Sequence, residues 1–514
     1  MTHEVALQEN TVPKSFGKIR NLIWPIHNFE LKKLLPMFAM FFLIAFVYNL
    51  LHCLKVPIIV KAEGGGAEAI PFLQIVGILP AAMLLTYIYT RLTERFNREQ
   101  IFYIFILGFL AYFALFLFVL YPNNQALRLD NLADFLQNNV FPWPGAKGLI
   151  ATIRNLNLAI FYVLAEMWTV IVLFMLFWGF ANEVTKIEEA KRFYAIFALG
   201  ANCSGIIAGE FARNIKSLSI VVPVIDFYQG SEWLFFQLCT ILILGAIIVF
   251  LFWWINRYIF VTEKSIDKPI ALRSRKNQQS KPKVTILECI SFLRKSRYIT
   301  YMVFIVVGYY IVYNLADIMW AYKIGLVMDS TQEINEYMNG VMSVTGIIAV
   351  FFALILSGNV IRRFGWTATA LITPFVWLIT SIAFFAGIAF ENSSMIEIFT
   401  TLMANPANLV LLIGSMQICL GRGCKYTVFD QTKEIAFIPL SREEQRKGKI
   451  IVDGLASRFG KSGGSIIYVM LLLIFGEMTN IIPYIAVIIF IALAAWLYAT
   501  YKMGQIIDKA TIST

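Results

Sequence analysis

Apolar runs long enough to cross a bilayer recur along nearly the whole chain, and they leave few folds open. A membrane-spanning helix needs about 20 apolar residues. Twelve segments meet that length, at 34–60, 70–90, 101–121, 150–181, 193–212, 234–256, 299–324, 338–358, 367–390, 408–430, 450–474 and 479–501. Hydrocarbon offers the backbone no hydrogen-bond partners, so only helices and closed barrels span it. Barrel strands alternate apolar and polar residues over about ten positions, whereas these runs are continuous. The expected fold is an all-α polytopic membrane protein with about twelve transmembrane helices. Composition points the same way. Of the 514 residues, 59% are hydrophobic and 15% are charged, against roughly 25% charged in a soluble domain.

Orientation follows from the basic residues, because cytoplasmic loops carry an excess of Lys and Arg. With both termini on one side, that side holds most of the 43 Lys and Arg residues. The loop after the sixth span is the richest, running from Arg257 through Arg275, Lys276, Lys281 and Lys283 to Arg297. Both termini of this multi-pass chain are therefore expected in the cytoplasm. The formal charge of +11 is then an orientation signal, and no nucleic-acid partner is expected.

That same loop is the one long hydrophilic break, and it divides the spans six and six. The expected organisation is a cytoplasmic segment at 1–33, a six-helix bundle at 34–256, a basic linker at 257–298, a second bundle at 299–502 and a tail at 503–514. Weak internal likenesses support two similar halves. Arg91-Leu-Thr-Glu-Arg95-Phe-Asn after the second span resembles Asn359-Val-Ile-Arg-Arg363-Phe-Gly after the eighth, and Lys55 stands to Lys323 at the same offset. This resembles the major-facilitator plan, in which substrate sits between halves that rock to expose it to each side in turn.

Ionisable groups inside spans cost about 2.5–3.5 kcal/mol each on insertion scales, so they mark cavities or partners. Here they are Lys55, Arg154, Glu166, Asp317, Lys323, Arg422, Lys425, Asp430, Asp453, Arg458 and Lys461. Arg422 and Lys425 are three apart, as are Arg458 and Lys461, so each pair shares a helix face. Together with Lys55 and Arg154 they could line a positively charged cavity suited to phosphate groups. For Lys55, Lys323, Arg154 and Arg422 the alternative is snorkelling to the interface. Glu166 and Asp317 have two readings, as counter-ions to the lysines or as carriers of coupling protons.

Other chemistries find little purchase. The six cysteines form no CxxC pair, and His3, His27 and His52 are scattered, so neither a disulfide framework nor a metal site is expected. The stretch Gly454-Leu-Ala-Ser-Arg-Phe-Gly460-Lys461-Ser462 imitates a P-loop, but with five residues between the glycines where that motif has four. Gly460 with Gly464, and Gly205 with Gly209, are expected to serve close helix packing. The outer loops, including 123–147, hold no acid cluster for a membrane-embedded enzyme. No cofactor is expected, and the chain is expected to act as a monomer.

Several blocks resemble one family. They are Ala165-Glu166-Met-Trp168, Phe177-Trp-Gly-Phe-Ala-Asn-Glu-Val-Thr-Lys, Lys425-Tyr-Thr-Val-Phe-Asp430, Lys433-Glu-Ile-Ala-Phe-Ile-Pro-Leu440, Lys447-Gly-Lys449 and Phe459-Gly-Lys-Ser-Gly-Gly464. The likeness, from about residue 17 to 502, is to the ATP/ADP translocases of chlamydiae, rickettsiae and plastids. It implies a secondary transporter that carries nucleotides across a bacterial inner membrane. Lys55, Glu166, Lys425, Asp430, Lys449 and Lys461 fall on the family's charged positions. The resemblance implies phosphate binding for the lysines and counter-charge or gating for the acids. Arg458 and Arg154 join the expected substrate-binding set, and Asp317 joins the coupling set.

The departures concern substrate. The family's Arg-Asp-Thr-Lys-Asp run reads His52-Cys53-Leu54-Lys55-Val56 here. Its Val-Glu-Val-Thr-Trp-Lys reads Ala316-Asp317-Ile318-Met319-Trp320-Ala321. Fewer cations beside the cavity should weaken its hold on a triphosphate. The sequence expectation is therefore import of ribonucleoside triphosphates with proton coupling through Glu166 or Asp317. Exchange of ATP, or of a dinucleotide, for ADP is the alternative.

Overall fold

The computed structural model describes Ile26, 30–185, 187–215, 231–259, 293, 296–356, 359–391 and 406–512. Eleven helices among these residues are long and apolar enough to cross a bilayer. They are α1 (Leu31–Val60), α2 (Ala69–Arg95), α3 (Arg98–Leu120), α4 (Leu156–Val184), α6 (Glu232–Tyr258), α7 (Arg297–Val327), α8 (Thr331–Ala353), α9 (Arg363–Phe390), α10 (Ala407–Ala436), α11 (Lys447–Phe475) and α12 (Met478–Ile507). The expected fifth span is the helix α5 (Ile187–Asn214), parts of whose surface lie outside the described residues. The expected linker lies mostly outside them too, as does most of the N-terminal segment.

Local sequence sets the helix starts. Asn97 and Gln100 form a capping box at the head of α3, with the Asn97 amide donating to Gln100 Oε1 at 3.0 Å. Ser296 caps α7 by accepting from the Ile299 amide. Each satisfies a backbone donor that the first helical turn leaves free. π-helical segments interrupt α2 at Leu73–Ile78, α4 at Thr169–Phe177, α10 at Lys425–Phe429 and α11 at Ile450–Ala456. Such segments re-aim side chains and recur at functional sites.

α1 and α7 are the central helices of their sets. α1 packs on α4, α5 and α6, and α7 packs on α10, α11 and α12. The two sets meet where α8 lies against α5 and α1, and where α11 lies against α2. Close helix approach, within a set and between sets, needs small residues. A side chain on Gly464 would meet Asn314 Oδ1 at 2.8 Å, and one on Gly460 would meet the Val307 carbonyl at 3.0 Å. Gly209 lies as closely against Asn339 and Ser343 of α8. Gly460, Gly464 and Gly209 thus take the packing role expected of them, whereas a side chain on Gly205 would meet nothing closer than Asn49 Nδ2 at 3.6 Å.

We call the end carrying Leu31, Ile187, Ala436 and Lys447 the basic end, and the other the distal end. Toward the distal end the two sets are joined by hydrogen bonds. Lys61 Nζ donates to the Gly325 carbonyl at 3.1 Å. Asn335 Nδ2 donates to the Cys53 carbonyl at 3.1 Å and Asn335 Oδ1 accepts from Gln237 at 2.8 Å.

One expected span is shorter than its apolar run. The run beginning at 150 breaks at Asn155, and Lys147–Arg154 is a separate short helix beyond the distal end of α4. The Asn155 amide group donates to the Ala151 and Glu63 carbonyls, which fixes the break. Arg154 is thereby removed from the membrane interior.

Candidate functional site

Residues 48, 52, 55 and 56 recur at helical spacing, so Tyr48, His52, Lys55 and Val56 share one face of α1. That face forms one wall of a cavity with about 680 Å³ of space between atoms, part of it open to solvent. α4 adds Tyr162 and Glu166, α2 adds Gln74, α7 adds Tyr313, Asn314 and Asp317, and α11 adds Lys461. The cavity therefore lies between the two helix sets.

Its centre is one carboxylate between two ammonium groups. Glu166 Oε2 accepts from Lys55 Nζ, and Glu166 Oε1 accepts from Lys461 Nζ at 2.8 Å. Lys55 also lies over the Tyr162 ring, 4.9 Å from its centroid. Lys55 is enclosed, with 5% of its side chain exposed, whereas Lys461 is 41% exposed to the cavity. A phosphate could reach Lys461 directly and would have to displace Glu166 to reach Lys55. Charge-assisted hydrogen bonds of this kind contribute about 1.5–3 kcal/mol each.

A second pair stands across the cavity. Arg422 Nη2 donates to Asp317 Oδ1 and to the Tyr313 hydroxyl, both at 2.9 Å, and lies 3.3 Å from His52 Nε2. Asp317 thus has a guanidinium partner.

The remaining expected site residues lie elsewhere. Lys425 pairs with Asp430 at 3.1 Å within its own π-helical turn, which separates it from Arg422 despite their spacing of three. Lys449 pairs with Glu434 at 2.7 Å and is half exposed at the basic end. Arg458 is exposed on α11, nearly one turn from Lys461 toward the basic end. Arg154 corrects the expectation of a cavity residue. It pairs with Asp130 at 3.1 Å and Asp134 at 2.5 Å on the outer helix Asp130–Asn139. Arg128 bonds the same Asp130 and holds its carboxyl below the usual carboxylate range, with Arg154 adding to the effect.

Sequence reading missed Arg422 as the partner of Asp317, and it missed the neutral polar residues Gln74, Asn314 and Ser465. Their amides and hydroxyl inside apolar runs were the available signal, since such groups need partners in a membrane.

The TLC ATP/ADP transporter family model matches residues 9–506. The chain is 39% identical to ADP,ATP carrier protein 1 of Chlamydia trachomatis, over 98% of this chain and 93% of that one. It is 36% identical to the chloroplastic ADP,ATP carrier protein 1 of Arabidopsis thaliana, over 96% and 76% respectively. Among solved structures it resembles an inward-facing bacterial homologue of the iron transporter ferroportin. That likeness has a TM-score of 0.53 at 12% identity and covers 93% of this chain and all of the other. A D-xylose-proton symporter gives 0.50 at 11% identity, covering 92% and 97%. These likenesses establish a major-facilitator-like fold. The chain is a membrane transporter, not an enzyme, and belongs to the TLC ATP/ADP transporter family.

Proposed function

We propose that this transporter exchanges nucleotides, ATP for ADP, across a bacterial inner membrane, with both termini in the cytoplasm. The observation that carries the reading is the Lys55–Glu166–Lys461 bridge. It joins α1 and α4 of the first helix set to α11 of the second. A carrier without cargo is held in one conformation by this link. A nucleotide phosphate offers both lysines a stronger anionic partner, releases Glu166, and lets the helix sets move. A carrier that moves freely only when loaded performs exchange. The relatives named ADP,ATP carriers support the same reading.

Proton-coupled net uptake, the sequence expectation, has weaker support. It rests on charges of both signs lost in the first and seventh spans, yet Arg422 supplies Asp317 with a charge partner. Lys425, Lys449 and Arg458 lie toward the basic end, where they would draw phosphates to the cavity.

Uptake of labelled ATP by proteoliposomes tests the reading. Vesicles preloaded with ADP should take up label many times faster than empty ones, and an uncoupler should change nothing. Uptake into empty vesicles that collapses with the proton gradient would instead establish symport.

A further inference from the structure

Three neutral polar side chains meet beside the cavity, one from each of α2, α7 and α11; Gln74 and Asn314 line it and Ser465 is buried behind them. Asn314 Nδ2 donates to Gln74 Oε1 at 2.7 Å. Ser465 Oγ lies against Gln74 Oε1, is 3.2 Å from Asn314 Oδ1 and 3.3 Å from the Lys461 carbonyl. A serine hydroxyl has one proton, so it cannot serve three acceptors at once. Acceptor capacity is therefore left over. Gln74 Nε2 has no partner among the described residues, and Gln74 lines the cavity. The group thus presents an unused amide donor beside an underused carbonyl acceptor.

We infer that this Gln74–Asn314–Ser465 group reads the edge of the nucleobase and selects adenine over guanine. The inference rests on the nucleotide reading above. The group is uncharged, whereas phosphates are drawn to the ammonium groups. Ser465 follows Lys461 by four residues, which is about 6 Å along the helix. Lys461 and Ser465 therefore share one face of α11, one turn apart, which sets the phosphate ligand next to the amide group. A carboxamide pairs in two-point fashion with an amino donor beside a ring acceptor, the adenine N6/N7 pattern. Guanine shows two acceptors, O6 and N7, and suits a cation instead. Gln74 also sits in the π-helical segment Leu73–Ile78, which turns its amide into the cavity. Gly464 leaves the space in which Asn314 approaches α11.

Competition against labelled ATP uptake in ADP-loaded proteoliposomes tests this, with unlabelled ATP, GTP and inorganic triphosphate as competitors. The wild type should favour ATP over GTP, and inorganic triphosphate should compete weakly. Gln74→Leu should narrow the ATP-to-GTP ratio about tenfold and leave competition by triphosphate unchanged. Should the Gln74→Leu protein fail to fold, Gln74→Asn, which keeps the amide one carbon shorter, should narrow the same ratio. A wild type blind to the base, or variants that weaken all competitors equally, would overturn the inference and leave a latch between the helix sets as the group's role. A wild type that takes up no nucleotide would overturn the nucleotide reading as well.

Discussion

Two ion-pair clusters in this molecule use the same pattern of charge, one carboxylate between two cations, to opposite ends. Around Glu166, one carboxylate holds two lysines inside a cavity and links two helix sets. Around Asp130, one carboxylate is shared by Arg128 and Arg154 on the distal surface, and every partner belongs to the first set. In the first cluster solvent is limited, so each charge depends on its partners. In the second, water screens the charges and the contacts order an outer loop. Charge identity does not separate the two. What separates them is whether the pair crosses between the two helix sets.

The sharpest way to break this contrast is Lys461→Ala. Loss of one charge-assisted contact of about 1.5–3 kcal/mol should weaken ATP affinity roughly tenfold to a hundredfold, measured as the concentration of ATP that half-saturates exchange. Unchanged affinity would remove Lys461 from the phosphate site. Next comes Arg422→Leu, which strands Asp317 beside the cavity. Stranding one member of a fully buried pair costs about 3–5 kcal/mol; the Asp317 side chain is 30% exposed, so thermal stability in detergent should fall by less than that. Adding Asp317→Asn should recover part of the loss, and no recovery would show that Arg422 acts through other contacts. Lys449→Ala, at the half-exposed basic end, should lower uptake a few-fold at low salt and less at high salt.

Arg154→Ala should have the smallest effect, within about twofold on exchange. The Asp130 carboxyl is held low in the folded protein. Its stabilising contribution is complete above the usual aspartate range, near pH 4, and is lost as pH falls through the lowered value. Exchange between pH 6 and 8 should therefore be indifferent to this cluster. A strong loss in the Arg154→Ala protein at neutral pH would erase the distinction between the two regions.

The helix count and the cavity lysines were legible because both follow from strong local rules. Apolar length marks a span, and Lys55, Glu166 and Lys461 are too costly there to lack a purpose. Arg154 misled because Leu149-Ile-Ala-Thr-Ile-Arg continues an apolar run, while the break depends on Asn155 reaching the Glu63 carbonyl. That contact joins distant parts of the chain and leaves no local trace. Lys425 misled for a geometric reason. Spacing of three places it with Arg422 on an α-helix, but a π-helical turn at Lys425–Phe429 redirects it toward Asp430. Gln74 and Asn314 were overlooked because neutral amides raise no charge signal, and only the fold brings them together.

The central claim is that Glu166 locks the unloaded carrier, and efflux tests it most directly. Proteoliposomes holding labelled ADP are placed in buffer with or without ATP. The wild type should release label only when external ATP is present. Glu166→Gln, which breaks the charge link between the helix sets, should release label into buffer alone. A Glu166→Gln protein that stays silent in buffer yet exchanges normally with ATP would contradict the account.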